Sequence, residues 1–227
     1  LGFCALIRPL IASHSVIRRE VPVMIGATLL ATILLLNRYI SVGEGLALLT
    51  LLIVLVTRTV HQARQEADQN YETAELKNAP GVILAIILTI VGLALLLGGS
   101  NLFVDGAVNI ARQLGWSEKL IGLTIVAIGT SLPELATSVV AVIKGQNDVA
   151  IGNVVGSCVF NILGILGVTG VLGGAYVPEL SLIDLGVLVG VTVAVFPLVR
   201  SGGRISRIEG GGLLLTYFAY TGWLLWG

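Results

Sequence analysis

Long apolar runs separated by short polar breaks dominate the chain, at about 20–37, 44–60, 81–99, 120–143, 149–172, 181–199 and 207–226. Most reach the roughly 17–25 residues a helix needs to cross a hydrocarbon core. Residues 1–12 read as the end of a further span. The runs are too long and too continuous for a transmembrane β-barrel, whose strands alternate over about ten residues. The pattern predicts an all-α, polytopic membrane protein with about seven transmembrane helices plus the end of another. Composition agrees: 56% of the residues are hydrophobic and 11% charged, whereas soluble domains carry about a quarter charged. The 29 glycines suit close helix packing and broken helices.

Charge then gives the orientation. Loops 13–19, 61–79, 144–148 and 200–206, with their flanks, collect Arg8, Arg18, Arg19, Arg58, Arg64, Lys77, Lys144, Arg200, Arg204 and Arg207. The opposite side keeps Arg38, Arg112 and Lys119. The positive-inside rule makes the first side cytoplasmic and puts Gly227 outside. The longest polar stretch, 61–79, is then a cytoplasmic loop, acidic in its second half and read as a solvated linker. Net charge is zero, so no nucleic-acid partner is indicated. Cys4 and Cys158 have neither disulfide nor metal-site spacing, and His14 and His61 read as interfacial. No signal peptide is visible.

An internal repeat follows from a constant displacement. Ile40-Ser41-x-x-Glu44-Gly45-x-x-Leu48-Leu49 matches Ile205-Ser206-x-x-Glu209-Gly210-x-x-Leu213-Leu214 at an offset of 165, which also puts Leu1-Gly2 on Leu166-Gly167. On the topology above the two copies run in opposite directions, as in many secondary transporters. The second repeat begins near Gly81, so the head of the first would precede Leu1. Three parts are expected: 1–60 as the tail of a first inverted repeat, 61–80 as a loop, and 81–227 as a second five-helix repeat. The chain reads as a fragment, and its partners would include the lipid bilayer and a missing N-terminal half.

Candidate chemistry concentrates inside the run Leu120 to Ile143. Gly129-Thr130-Ser131-Leu132-Pro133-Glu134 sets a carboxylate, two hydroxyls and a helix-breaking proline at membrane depth. Charge there is expensive and marks a functional site by default. Proline cannot donate to the carbonyl four residues back, so Pro133 frees that of Gly129. Hard cations such as calcium bind oxygen clusters of this kind; a kinked helix with a locally satisfied carboxylate is the alternative. Further along, Gly152-Asn153-Val154-Val155-Gly156-Ser157-Cys158-Val159-Phe160-Asn161 places Ser157 and Asn161 four apart on one helical face. Those two side chains serve either an ion or an interhelical hydrogen bond. Spans 120–143 and 149–172 are joined by a short loop, so they are antiparallel neighbours. Facing the two clusters assembles Thr130, Ser131, Glu134, Ser157 and Asn161.

Gly122-Leu123-Thr124-Ile125-Val126-Ala127-Ile128-Gly129-Thr130-Ser131-Leu132-Pro133-Glu134 followed by Gly152-Asn153-Val154-Val155-Gly156-Ser157 resembles the second α-repeat of the sodium/calcium exchanger family, within the cation/calcium exchanger superfamily. Residues 98–112 are similar to the family's lead-in to that repeat. The resemblance implies the C-terminal part of a ten-helix, inverted-repeat antiporter that exchanges calcium for sodium, not an enzyme. It implies calcium and sodium as transported ions, with no cofactor. It implies that Glu134 holds the central cation, while Thr130, Ser131, Ser157, Asn161 and backbone carbonyls such as that of Gly129 supply further oxygens. Cys158 stands where relatives often carry asparagine, and Asn161 where some carry aspartate. A neutral Asn161 lacks a titratable proton, which bears on potassium dependence and proton coupling. The short loop without a regulatory domain looks prokaryotic, which implies the inner membrane. A calcium/proton or other cation exchanger, a cation channel, and a structural membrane protein are the alternative readings.

Overall fold

A computed structural model describes residues 1–70, 81–178 and 180–226. The helices are α1 (Gly2–Ile7), α2 (Val21–Leu35), α3 (Val42–Asn70), α4 (Val82–Gln113), α5 (Glu118–Ile121), α6 (Ala127–Thr130), α7 (Leu132–Ile143), α8 (Asn147–Phe160), α9 (Leu166–Val171), α10 (Leu182–Arg200) and α11 (Arg207–Trp226). Wider, π-helical turns at Val16–Glu20, Gly122–Val126 and Asn161–Ile165 lead into or join these helices. Among the described residues there are also four short strands: β1 (Leu10–Ile11), β2 (Tyr39–Ile40), β3 (Ala175–Tyr176) and β4 (Arg204–Ile205). Each apolar run of the sequence therefore falls on helix. Among the described residues four helices are long and apolar enough to cross a membrane, or five counting a pair bent by 50°. The helix of the run 81–99 continues to Gln113, and α3 extends through the first half of the stretch expected as a loop. Residues 71–80, the rest of that loop, lie outside the described residues.

The exposed surface needs a solvent other than water. On α4, Ile83 is 76% exposed, Leu95 71% and Leu102 77%. A helix that is apolar all round is at home in lipid. The buried core lies elsewhere. Leu10, Val21, Val142, Ile151, Val199 and Ile205 bring β1, α2, α7, α8, α10 and β4 together. A smaller cluster joins Ala27, Leu48 and Leu163.

Contacts between the two ends of the chain are reciprocal. Leu10 pairs with Ile205 and Ile11 with Arg204, while Ile40 pairs with Ala175 and Tyr39 with Tyr176. A shift of 165 positions converts the first ladder into the second with its register intact. The same shift converts the packing of α1 on α11 into that of α9 on α3. It carries α2 onto α10, and these two pack on each other. Exchanging the two segments thus leaves these contacts unchanged, as a local two-fold axis requires. The helix starts obey it too. Ser41 N–H and Oγ–H donate to Glu44 Oε2 at 2.8 and 2.7 Å, and Ser206 donates to Glu209 Oε2 at 2.7 Å from both groups. Each is a capping box, which satisfies helix-terminal N–H groups before an apolar run.

Glycine sets the closeness of these contacts. A Cβ on Gly45 would stand 2.7 Å from the Gly167 carbonyl oxygen, and one on Gly2 would stand 2.8 Å from that of Gly210. The two-fold exchanges these two crossings. Backbone cannot retreat as a side-chain tip can, so Gly45→Ala is expected to lower stability by about 1–2 kcal/mol after allowing for alanine's better helix propensity. Gly43→Ala, where a Cβ meets nothing within 4 Å, is the comparison and should leave stability unchanged or slightly raised. Thermal unfolding of the two variants in detergent checks the difference.

Candidate cation site

The span carrying the carboxylate is broken, and the break sits just before the proline. α6 ends at Thr130, Ser131 takes φ −94° and ψ 1°, and α7 restarts at Leu132 with Pro133 in its first turn. Proline is tolerated there because first-turn N–H groups have no intrahelical acceptor. The two segments meet at 50°. Ser131 N–H bonds Ile128 at 3.0 Å, the tightened turn of a helix end, and Leu135 N–H bonds the Ser131 carbonyl at 2.9 Å.

The carbonyl of Gly129, freed from the helix, is taken by a neighbour. Ser100 on α4 is buried and its hydroxyl donates to that oxygen. Val104, one turn further along α4, lies so close to Gly129 that any Cβ would overlap it. α4 is therefore keyed onto the break by a hydroxyl and a close contact. Thr130 and Ser131 are exposed at the break, and the Thr130 hydroxyl donates back to the Val126 carbonyl at 2.9 Å. Both oxygens keep lone pairs free to accept or to ligate.

Across the hairpin, Asn153 fixes α8 to α7. Its amide nitrogen lies 3.0 Å from the Glu134 carbonyl, 2.9 Å from Thr137 Oγ1 and 2.9 Å from Ser138 Oγ. Two N–H bonds serve three acceptors, so the amide is fully used in holding the register. Beside this clamp a cleft of about 320 Å³ opens, lined by Glu134, Gly152, Asn153, Gly156, Ser157, Phe160 and Asn161. Glu134, Ser157 and Asn161 thus share one cleft, as the sequence expected; Thr130, Ser131 and Gly129 lie at the break, not in its lining. A Cβ on Gly156 would meet no atom within 4 Å, so that glycine keeps the wall open. The Ser157 hydroxyl donates to the Val154 carbonyl at 3.0 Å and leaves its lone pairs for the cleft. Asn161 is exposed at the start of the π-helical turn, and such turns recur at functional sites.

The deciding feature is Glu134 itself. Its Oε2 is buried and has no hydrogen-bond partner among the described residues. Buried carboxylate oxygens without a partner are costly and rare. Among the described residues no three His, Cys, Asp or Glu side chains converge. The cleft therefore offers one formal charge with a set of neutral oxygens, a hard-cation donor set.

Residues 84–226 match the profile of the sodium/calcium exchanger protein family. The chain belongs to the sodium/calcium exchanger family. It is 37% identical to a putative antiporter, CaxA, of Alkalimonas amylolytica, over 97% of this chain and 72% of that protein. It is 33% identical to the inner membrane protein YrbG of Escherichia coli K12, over 100% of this chain and 70% of that one. Among solved structures it resembles the sodium-calcium exchanger NCX_Mj soaked without sodium and calcium, with TM-score 0.76 and 31% identity, over 98% of this chain and 70% of that chain.

Three residues were not singled out from the sequence. Asn153 lies four positions before Ser157, so its place on the same helical stripe was visible. Ser100 lies in the lead-in to the motif, but nothing local says which carbonyl it meets. Glu20 brings Oε2 to 3.4 Å from where a Cβ on Gly152 would sit, a meeting of distant segments. Asn153→Asp replaces the clamping amide with a carboxylate that cannot donate to the Glu134 carbonyl. It should destabilise the protein by about 2 kcal/mol, measured as a lowered unfolding midpoint in detergent.

Proposed function

We propose that the chain forms the greater part of a secondary antiporter that exchanges calcium for sodium, with Glu134 as its central cation ligand. The observation that carries this is the buried, unpartnered Glu134 Oε2 beside a broken helix. Calcium takes six to eight oxygens and favours carboxylates, and a bound cation would supply the partner that Glu134 Oε2 lacks. Ser157 and Asn161 complete this side of the shell in the cleft. Thr130, Ser131 and the Gly129 backbone add oxygens as the break flexes, once Ser100 releases the carbonyl. Relatives named as exchangers support the reading, among them the sodium/calcium exchanger MaX1 of Methanosarcina acetivorans, 38% identical over 60% of this chain and 39% of that protein.

We read the reciprocal contacts at offset 165 as the meeting of two inverted repeats, 1–60 ending the first and 81–227 forming the second. In such transporters the site sits at the repeat interface near the midplane, and alternating access comes from one part moving against the other. The remaining ligands would then come from the first repeat. The break at Ser131 gives the moving element its hinge, and α4 rides on that element through Ser100 and Val104. The arginine-rich end is cytoplasmic by the positive-inside rule, with the protein in a prokaryotic inner membrane.

Glu134→Gln keeps shape and removes charge. In the complete protein it should abolish nearly all calcium exchange, measured as sodium-driven calcium flux in proteoliposomes, with membrane insertion intact. Glu118→Gln is the control on the same span. Glu118 is exposed and paired with Arg112 at 2.7 and 3.0 Å, and that guanidinium holds its carboxyl below the usual value. Exposed pairs contribute little, so the effect should be mild. Near-normal flux in Glu134→Gln would leave only a kinked helix.

Asn161→Asp adds a titratable group to the cleft. It should change the sodium or proton dependence of flux while calcium still binds. A proton-coupled exchanger is the second reading, and it requires calcium flux that sodium does not accelerate.

A further inference from the structure

The arginine-rich end of the molecule contains a second and larger cavity, remote in sequence from the Glu134 cleft. It measures about 610 Å³ and lies where the π-helical turn before α2 meets the end of α10. Arg18, Arg200 and His14 line it together with Ile17, Pro22 and Phe196. The lining thus holds two guanidinium groups and an imidazole over an apolar floor, and no carboxylate. Arg18 and His14 have no hydrogen bond or ion pair among the described residues. Arg200 rests over the Phe196 ring, its Cζ 5.7 Å from the centroid. That contact orients the guanidinium, whose N–H groups have no partner among the described residues.

The two-fold relation supplies an internal comparison. The shift of 165 takes Arg18 to Ile183 and Arg200 to Leu35, so the equivalent junction at the other end carries no arginine at these positions. The fold therefore does not require cations where α2 and α10 meet. The positive-inside bias puts cations at this end, and the cavity gathers two of them with His14 over an apolar floor.

We propose that this cavity binds the phosphoryl group of an anionic ligand. Arginine presents a planar fork that matches phosphate oxygens, and basic pockets between membrane helices suit anionic headgroups. The apolar floor of Ile17, Pro22 and Phe196 favours a lipid phosphodiester, whose acyl chain continues along apolar wall, over free phosphate. This inference does not depend on the exchange reading, since neither calcium nor Glu134 enters it.

The test uses the purified protein in a neutral detergent and three probes: dihexanoyl phosphatidylglycerol, dihexanoyl phosphatidylcholine and inorganic phosphate. Binding is read from thermal unfolding midpoints as each probe is titrated, because a ligand of the native state raises the midpoint by mass action. Phosphatidylglycerol should stabilise the protein. Arg18→Gln and Arg200→Gln should each raise its apparent Kd about tenfold. Arg64→Gln removes an exposed cation at the same end outside the cavity and should change nothing. All three side chains are exposed, so the variants should keep the ligand-free midpoint. Phosphate stabilising as well as the lipid, with the same arginine dependence, would keep the phosphoryl site and identify free phosphate as its source. Equal stabilisation by phosphatidylcholine and phosphatidylglycerol, or no response to either arginine, would overturn the proposal.

Discussion

A carboxylate held away from water must find a counter-charge, donors or a proton, and the Glu134 region is organised around that requirement. The hairpin partner uses the Asn153 amide on the Glu134 backbone carbonyl and on two hydroxyls. The carboxylate oxygen Oε2 is left without a partner among the described residues. Saturating it internally would stabilise the hairpin but close the cleft to a cation. The glycines at 152 and 156 keep that face low, and Ser157 and Asn161 present oxygens along it.

The same trade appears at the helix break. An unbroken helix would be more stable in lipid, where every backbone polar group needs a partner. Pro133 prevents it, and the Gly129 carbonyl is then satisfied by the Ser100 hydroxyl on α4. One side-chain donor in place of an intrahelical bond gives a contact that can be exchanged. Among the described residues helix α4 makes its main packing contacts on this broken span and is largely exposed elsewhere. It is attached to the broken span rather than to the glycine-packed scaffold.

That scaffold is held together by a different kind of contact. Its crossings at Gly45 and Gly167, and at Gly2 and Gly210, bring backbone against backbone at distances that no side chain tolerates. Short ladders and matching capping boxes tie the ends of the same helices. Close, reciprocal packing of this kind holds α1, α3, α9 and α11 in register.

The spans, the broken segment, the clustering of Glu134 with Ser157 and Asn161, and the 165-residue displacement were legible in the sequence. Each rests on local physics: apolar run length against bilayer thickness, the missing N–H of proline, the four-residue stripe of a helix, and the Ser-x-x-Glu cap. Tertiary structure alone decided which groups answer these local demands. Ser100 meets Gly129 across 29 positions, Glu20 approaches Gly152, and Leu10 pairs with Ile205. It also gathered Arg18 and Arg200 into one cavity, where the sequence showed only an excess of basic residues on one side. Local pattern fixes what each segment needs from its surroundings. Which partner supplies it depends on how distant segments pack, and apolar runs of similar composition carry little information about that.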